Sequence, residues 1–187
     1  MPPKVKITKS DIINAALELV RANGEQAINA RAIASALNCS TQPIFSNFAT
    51  MEDLQVEVIS SAYELYLSFL QNEAQNEKYP RYKAFGMAYI RFAKEETELF
   101  RLLFMRNRDG EEFVASPDFE ASVEIIMKAN SISHQTAELM HFEMWAFVHG
   151  IATMLATSYL SLEWELISNM LTDIYQGIRA RHLSEEV

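Results

Sequence analysis

The chain has 187 residues, of which 49% are hydrophobic, and it contains only five glycines and five prolines. This length is sufficient for a buried core, and this composition excludes a largely disordered protein. The single cysteine, Cys39, excludes an intramolecular disulfide and suits a reducing compartment. No apolar run follows the basic N-terminal residues, so the sequence predicts no signal peptide.

The formal net charge of −9 argues against nucleic acid as a partner of the whole chain. The charge is unevenly distributed, however, because residues 1–47 carry +2 and residues 48–187 carry −11. A mildly basic head on an acidic body is compatible with DNA binding at one end only.

The first predicted helix covers about residues 9–23. Thr8 and Asp11 have the spacing of a capping box, in which each side chain binds the backbone N–H of the other residue. Apolar residues then recur at helical spacing, and Gly24 is suited to the end of the helix.

Two short helices joined by a tight turn are predicted next. The first runs from about Ala30 to Leu37, with Asn29 as its N-cap. Its apolar residues recur at spacings of three and four, which places one side of the helix against a core. Asn38 and Cys39 form the predicted turn.

The second short helix has Ser40 as its predicted N-cap and Pro43 in its first turn, where the N–H groups have no intrahelical partner. Ile44 and Phe48 are four residues apart and are expected to face inward. A short helix with a small outer face, braced by a preceding helix, is the shape that enters a DNA major groove. The residues expected on this outer face are Thr41, Gln42, Pro43, Phe45, Ser46 and Asn47.

The remainder of the chain is also predicted to be helical. Thr50, Ser116 and Ser133 are candidate N-caps, and Pro80 is expected to start a helix after a polar break. No strand-like alternation and no internal repeat is present, so we predict an all-α fold of about nine helices. The later helices are expected at about residues 51–75, 80–94, 95–104, 117–129, 134–158 and 162–181, with a turn at 107–110.

One long apolar segment raises the question of a membrane span. Met144 to Leu162 is 19 residues long and has no formal charge, which is close to the length of a transmembrane helix. The segment also contains His149, Gly150 and several hydroxyl side chains, and no basic residues flank it. Burial on two sides, against the body and against a second subunit, is the favoured explanation.

Residues 8–54 resemble the DNA-binding domain of the tetracycline-repressor (TetR) family of transcriptional regulators. The resemblance covers about a quarter of the chain and includes the first helix, its glycine, an R-x-I-A segment and an S-x-x-x-[LI]-[YF]-x-x-F segment. The matching residues are Thr8, Lys9, Ile12, Ala15, Ala16, Leu17, Leu19, Gly24, Arg31, Ile33, Ala34, Ser40, Ile44, Phe45, Phe48, Glu52, Asp53 and Leu54.

This resemblance implies a set of DNA contacts. Gln42 is expected to bond adenine, and Pro43 to touch a thymine methyl group. Phe45 and Met51 replace the tyrosine and lysine that the family often has, which implies fewer phosphate contacts and a shallower salt dependence. For each residue the alternative is an ordinary solvated side chain. The implied backbone contacts are Asn29, Arg31, Ser40 and Asn47, and the implied base contacts are Thr41, Gln42, Pro43 and Ser46.

The body also carries a local resemblance. Trp145, His149 and Gly150 match the W-x-x-x-H-G signature of one TetR C-terminal subgroup. His149 either bonds a ligand or packs inside the fold, with Gly150 permitting close approach of helices, and packing is the favoured alternative. The family resemblance implies an effector cavity, for which we expect a largely apolar or aromatic ligand. Its candidate contacts are Tyr89, Phe104, Met105, Trp145 and His149.

The sequence predicts no enzyme, metal site or cofactor. Glu138 and His141 have a metal-ligand spacing, but a carboxylate di-metal site requires two such pairs. No glycine-rich phosphate loop or nucleophile elbow is present, and no base can be assigned to Cys39.

The sequence therefore predicts a cytoplasmic DNA-binding transcriptional regulator, acting as a repressor, without membrane contact. A helix-turn-helix domain at residues 1–50 is expected to precede an effector-binding and dimerisation domain at residues 51–187. The homodimer would pair through the last two long helices, bind a palindromic operator and be released by a small molecule. The alternative is a helical dimeric ligand-binding or scaffold protein that does not bind DNA.

Overall fold

A computed structural model of the chain describes residues 7–107, 109 and 116–185. In these residues the chain forms nine α-helices and one 3₁₀ turn, Glu25–Ala27, and no strand. The all-α prediction is confirmed. The helices are α1 (Lys9–Asn23), α2 (Ala30–Ala36), α3 (Gln42–Asn47), α4 (Met51–Gln75), α5 (Arg81–Glu95), α6 (Thr97–Phe104), α7 (Pro117–Asn130), α8 (His134–Ala156) and α9 (Trp164–Glu185).

None of the described helices is both long enough and apolar enough to cross a bilayer. The uncharged segment from Met144 to Leu162 forms the second half of α8 and the connection that follows it. The turn predicted at residues 107–110 lies partly outside the described residues.

The chain divides into two compact units. The first comprises Met1–Leu65 and Glu96–Asn107, and the second comprises Tyr66–Glu95 and Arg108–Val187. The first unit is larger than the head expected from the sequence, because it also includes residues 51–65 of α4 and all of α6. A domain boundary near residue 50 stays a prediction.

The first unit is built around α1, which packs against α2, α3 and α6. The capping box at its start is confirmed, because the Thr8 N–H donates to Asp11 Oδ2 at 2.9 Å and the Asp11 N–H donates to Thr8 Oγ1 at 3.2 Å. Ile12 and Val20 are fully buried. Gly24 ends the helix at φ +81°, a conformation that side-chain-bearing residues rarely adopt.

Helix α4 begins and ends where the sequence predicts. The Thr50 N–H donates to Asp53 Oδ2 at 3.0 Å, and the Asp53 N–H donates to Thr50 Oγ1 at 3.1 Å, which forms a second capping box. A strict spacing of four places Leu54, Val58, Ala62, Tyr66 and Leu70 on the buried face.

The second unit has its core around α8, which packs against α5, α7 and α9. Phe119, Val123 and Ile126 of α7 meet Met140 of α8 in one buried cluster. His141 is buried beside them, and its Nδ1 lies 2.9 Å from Tyr82 Oη. This core therefore contains a polar pair that is satisfied internally.

The ends of the last two helices differ from the prediction. Helix α8 stops at Ala156, because Ser158 takes a left-handed conformation with φ +56°. Helix α9 starts at Trp164 and continues to Glu185, beyond the expected end near residue 181. His182 holds this last turn in place, since it is buried and its Nε2 lies 3.1 Å from Glu143 Oε2 on α8.

Candidate nucleic-acid interface and ligand site

Helix α2 is fixed at both ends by local hydrogen bonds. Asn29 is its N-cap, as predicted, and its Oδ1 accepts from the Ala32 N–H at 2.9 Å. Asn38 adopts φ +51° at the other end, and the Cys39 N–H donates to the Ala34 carbonyl at 2.9 Å. The predicted turn between the two short helices is confirmed. The Asn29 side chain is already occupied as a cap, so its availability for a phosphate is reduced.

Helix α3 begins one residue later than a Ser40 cap requires, so that prediction is wrong. Thr41 is the N-cap, and its carbonyl accepts from the Ile44 N–H at 3.1 Å while its side chain makes no capping bond. Pro43 lies in the first turn, as predicted. Proline can occupy that position because no intrahelical acceptor is available to its nitrogen.

The inner and outer faces of α3 separate as the spacing predicts. Ile44 is fully buried and Phe48 is 4% exposed. Phe45, by contrast, is 53% exposed. The predicted outer residues are all exposed or only partly buried: Thr41, Gln42, Pro43, Phe45, Ser46 and Asn47.

The polar groups on this outer face are not equally available. Ser46 Oγ donates to the Gln42 carbonyl at 2.9 Å, and Asn47 Nδ2 donates to the Pro43 carbonyl at 2.8 Å. The Gln42 side chain makes no hydrogen bond to any described residue. Its amide therefore offers both a donor and an acceptor to a partner, which is the pair that adenine presents in the major groove.

Most of the described cations in the first unit are paired with carboxylates. Lys9 Nζ lies 2.6 Å from Glu57 Oε1 and also over the Phe48 ring. Arg21 bonds both Glu18 and Glu96. Arg31, also predicted as a phosphate contact, is exposed and has no carboxylate partner among the described residues. Lys4 and Lys6 lie outside those residues.

Three of the five predicted ligand contacts lie together in the second unit. Tyr89 Oη lies 2.8 Å from His149 Nδ1, and the Trp145 ring stacks on the imidazole at 5.2 Å and 18°. Burial lowers the pKa of His149, which favours its neutral form. The imidazole is held by packing on one face and by a hydrogen bond at one nitrogen.

The other two predicted ligand contacts lie in the first unit. Phe104 packs on Phe100 of the same helix, with ring centroids 5.3 Å apart, and Met105 follows the end of α6 with 38% of its surface exposed. The described contacts thus gather Tyr89, Trp145 and His149 in the second unit, whereas Phe104 and Met105 belong to the first.

The sequence gives no direct indication of the cleft that the structure contains. This cleft has a volume of 820 Å³ and lies in the second unit, between the end of α4, the start of α5 and the start of α7. None of the five predicted ligand contacts lines it. Its rim is formed by residues 77–81, a segment that reads in the sequence only as a polar break.

Comparisons with known proteins agree with this architecture. Residues 82–173 match the family model described as "Tetracyclin repressor-like, C-terminal domain". The chain belongs to the TetR family. Its class is therefore that of a TetR-type transcriptional regulator, while the W-x-x-x-H-G subgroup stays a prediction.

Two solved structures share the fold of this TetR-family chain. A member of the TetR family from Streptomyces coelicolor A3 has 16% identity and a TM-score of 0.61, with 89% of this chain and 96% of that chain covered. A protein of unknown function from Rhodococcus sp. RHA1 has 19% identity and a TM-score of 0.70, with 96% and 97% covered. A search of curated proteins gave no match.

Proposed function

We propose that this TetR-family regulator is a homodimeric repressor in the cytoplasm that binds a palindromic DNA operator through α3. The observation that carries the proposal is the outer face of α3. Its inner residues Ile44 and Phe48 are buried, while Phe45 and the unbonded Gln42 amide are exposed. A helix presented in this way has the geometry of a recognition helix.

We assign different roles to the residues of this surface. Gln42 would bond adenine, and Pro43 would contact a thymine methyl group, while Thr41 and Ser46 would reach neighbouring base edges. Bound DNA would compete for the Ser46 hydroxyl, which is directed towards the Gln42 carbonyl in the free protein. The phosphate contacts would come from Asn29, Arg31, Ser40 and Asn47, with Phe45 in apolar contact at the groove edge.

A dimer is required by the small size of this surface. One recognition helix reads only a few base pairs, whereas a two-fold dimer reads two half-sites about 34–36 Å apart or a multiple of that distance. Helices α8 and α9 expose apolar residues at helical spacing, among them Leu139, Trp145 and Leu166. We therefore assign the subunit contact to these two helices.

We further propose that a small ligand in the second unit weakens operator binding. Helix α4 contributes its first 15 residues to the first unit and its last ten to the second, so a ligand that moves its C-terminal end acts on a helix that both units share. A coupling free energy of about 1–3 kcal/mol between two sites is typical of such linkage.

The DNA-binding proposal is tested by gel shift and footprinting with the DNA upstream of the gene for this protein. We expect the Gln42→Ala, Ser46→Ala double variant to lose the sequence-specific shift, at a cost of roughly 1–3 kcal/mol for each lost base contact. The matched control is Asn72→Ala, Asn76→Ala, two exposed polar side chains of the second unit that lie outside α8, α9 and the cleft. A shift that survives in the first variant would show that the reading face lies elsewhere.

The salt dependence supplies an independent test of the phosphate contacts. Because Arg31 is unpaired among the described residues, we expect Arg31→Ala to weaken binding of all DNA sequences similarly and to reduce the salt slope by about 1. Lys128→Ala on α7 is the control. An unchanged slope in Arg31→Ala would remove Arg31 from the interface.

A second candidate function is a dimeric ligand-binding or scaffold protein that does not contact DNA. The net charge of −9 and the pairing of Lys9 and Arg21 with carboxylates favour it. Footprinting separates the two functions, because the second predicts no protected site at any salt concentration.

A further inference from the structure

The cleft in the second unit has an apolar interior of a size suited to a small molecule. Leu67 and Leu70 of α4, Phe85 of α5 and Ala121 of α7 line it. Ligand pockets usually have volumes of about 300–1,000 Å³ and are lined mostly by apolar side chains, and the 820 Å³ of this cleft fall in that range. Its interior therefore suits an aliphatic or aromatic body.

The rim of the cleft is cationic on the side formed by the α4–α5 connection. Lys78 and Arg81 line the cleft, and neither makes an ion pair with a described residue. Lys83, two residues further along α5, does not line the cleft. It donates to Thr172 Oγ1 at 2.7 Å and likewise has no carboxylate partner among the described residues. Two cations thus line one edge of the cleft, and a third lies beside it over the ring of Tyr79.

Two carboxylates, Asp118 and Glu77, also line the cleft. The negative charge of Asp118 is already stabilised by other groups of the protein. Asp118 Oδ2 accepts from Tyr66 Oη at 3.2 Å, and Asp118 lies in the first turn of α7, where a helix favours negative charge. Glu77 is exposed in the connection, as are Lys78 and Arg81, so water screens all three charges. Neither carboxylate pairs with Lys78 or Arg81.

The aromatic rings at the rim argue against a cationic ligand. Lys78 Nζ and Lys83 Nζ lie over the Tyr79 ring, at 5.2 Å and 5.1 Å from its centroid. The Arg81 guanidinium lies 5.7 Å from the centroid of Phe85. An incoming cation would have to displace these groups from the ring faces and would meet their like charges.

We propose that this cleft binds an amphipathic anion, with its apolar body between α4, α5 and α7 and its anionic head group beside Lys78 and Arg81. This inference rests on the proposed function, since it names the class of effector for the second unit. The head group is a carboxylate or a phosphate ester, because the anionic oxygens of both accept charge-assisted hydrogen bonds from lysine and arginine.

The test uses the full-length chain and three probes with the same alkyl chain: decanoate, 1-decanol and decyltrimethylammonium. The two ionic probes are kept below their micelle concentrations and 1-decanol below its solubility limit. In isothermal titration calorimetry, decanoate should bind with the highest affinity of the three probes. Added sodium chloride should weaken the binding of decanoate and leave the binding of 1-decanol unchanged. Decyl phosphate, as a fourth probe, distinguishes the two head groups. If decyltrimethylammonium binds with the same affinity as decanoate, the proposal is overturned.

Variants locate the binding within the cleft. The Lys78→Gln, Arg81→Gln variant should bind decanoate roughly 5-fold more weakly, as expected for two exposed ionic contacts, and bind decanol unchanged. Lys128→Gln, an exposed lysine on α7 paired with Glu124, is the matched control. Ala121→Phe, or Ala74→Phe if the first variant melts early, should abolish binding of both probes by filling the cleft. Undiminished decanoate binding in either the charge variant or a folded filling variant would overturn the proposal.

The same samples separate this inference from the proposed function. Operator binding without any decanoate affinity would leave the DNA-binding regulator intact and remove the amphipathic anion. Decanoate binding without any DNA protection would support the cleft and refute the operator proposal.

Discussion

At the scale of single residues, His141 should make the stability of the second unit depend on pH. Burial lowers the pKa of His141 to about 4, although the negative charge of Asp118 acts in the opposite direction and raises it. The unfolded chain has a histidine pKa near 6.5 and therefore binds the proton first as the pH falls. The neutral His141 therefore makes its full contribution to the free energy of unfolding above pH 6.5. Between about pH 6.5 and pH 4 this contribution is lost, which lowers the free energy of unfolding by roughly 3 kcal/mol.

The variant His141→Gln isolates this effect from the other titrating groups. Its side chain keeps a polar atom that can bond Tyr82 Oη but does not titrate. Urea unfolding at pH 7 and pH 5 should show a smaller drop in the free energy of unfolding than in the wild type. His134→Gln, at an exposed histidine on the same helix, should keep the wild-type drop. Equal pH profiles for all three proteins would contradict the assignment.

At the scale of helices, the start of α4 depends on the capping box of Thr50 and Asp53. Removing the Thr50 hydroxyl leaves the Asp53 N–H, now bonded at 3.1 Å, without its acceptor. We expect Thr50→Ala to lower the free energy of unfolding by about 1 kcal/mol. Chemical denaturation measures this, with Ser60→Ala on the exposed face of the same helix as control. A loss no larger than that of Ser60→Ala would mean that the cap contributes little.

The helices also indicate how far the sequence can predict this fold. Thr8, Thr50 and Ser133 are identified as caps because capping depends on residues within three positions of each other. Ser40 misleads, because Thr41 next to it is the N-cap although its side chain makes no capping bond, so the local capping pattern does not mark this helix start. The 3₁₀ turn after Gly24 has no comparable local pattern.

The candidate sites divide in the same way. The outer face of α3 follows from helical spacing, so the sequence predicts it correctly. The cleft depends on how three helices that are distant in sequence come together, and no spacing reveals that. Trp145 and His149 share a helix face, but the partner of His149, Tyr89, lies 60 residues earlier, and only the tertiary structure brings it within hydrogen-bond distance.

At the scale of the whole molecule, the proposed second subunit would account for the exposed apolar residues of α8 and α9. Leu166 is 48% exposed and Ile174, two turns later, is 37% exposed. A Cβ atom added at Gly150 or Gly177 would meet nothing within 4 Å in the chain, so packing inside the described chain gives no reason for glycine there. Close approach of helices from a second copy would give one.

We therefore expect the Leu166→Glu, Ile174→Glu variant to be monomeric in analytical ultracentrifugation, while circular dichroism shows the same helix content as the dimeric wild type. Charges placed in an apolar contact are costly because they lose water without gaining a partner. Operator affinity should fall by about 100-fold or more, since two linked heads gain affinity from their high effective concentration. Val56→Glu, at an exposed apolar position in the first unit, should leave the protein dimeric. If the double variant remains dimeric, the subunit contact lies on another surface. If the wild type is monomeric in solution yet protects two half-sites, the protein dimerises on the DNA itself.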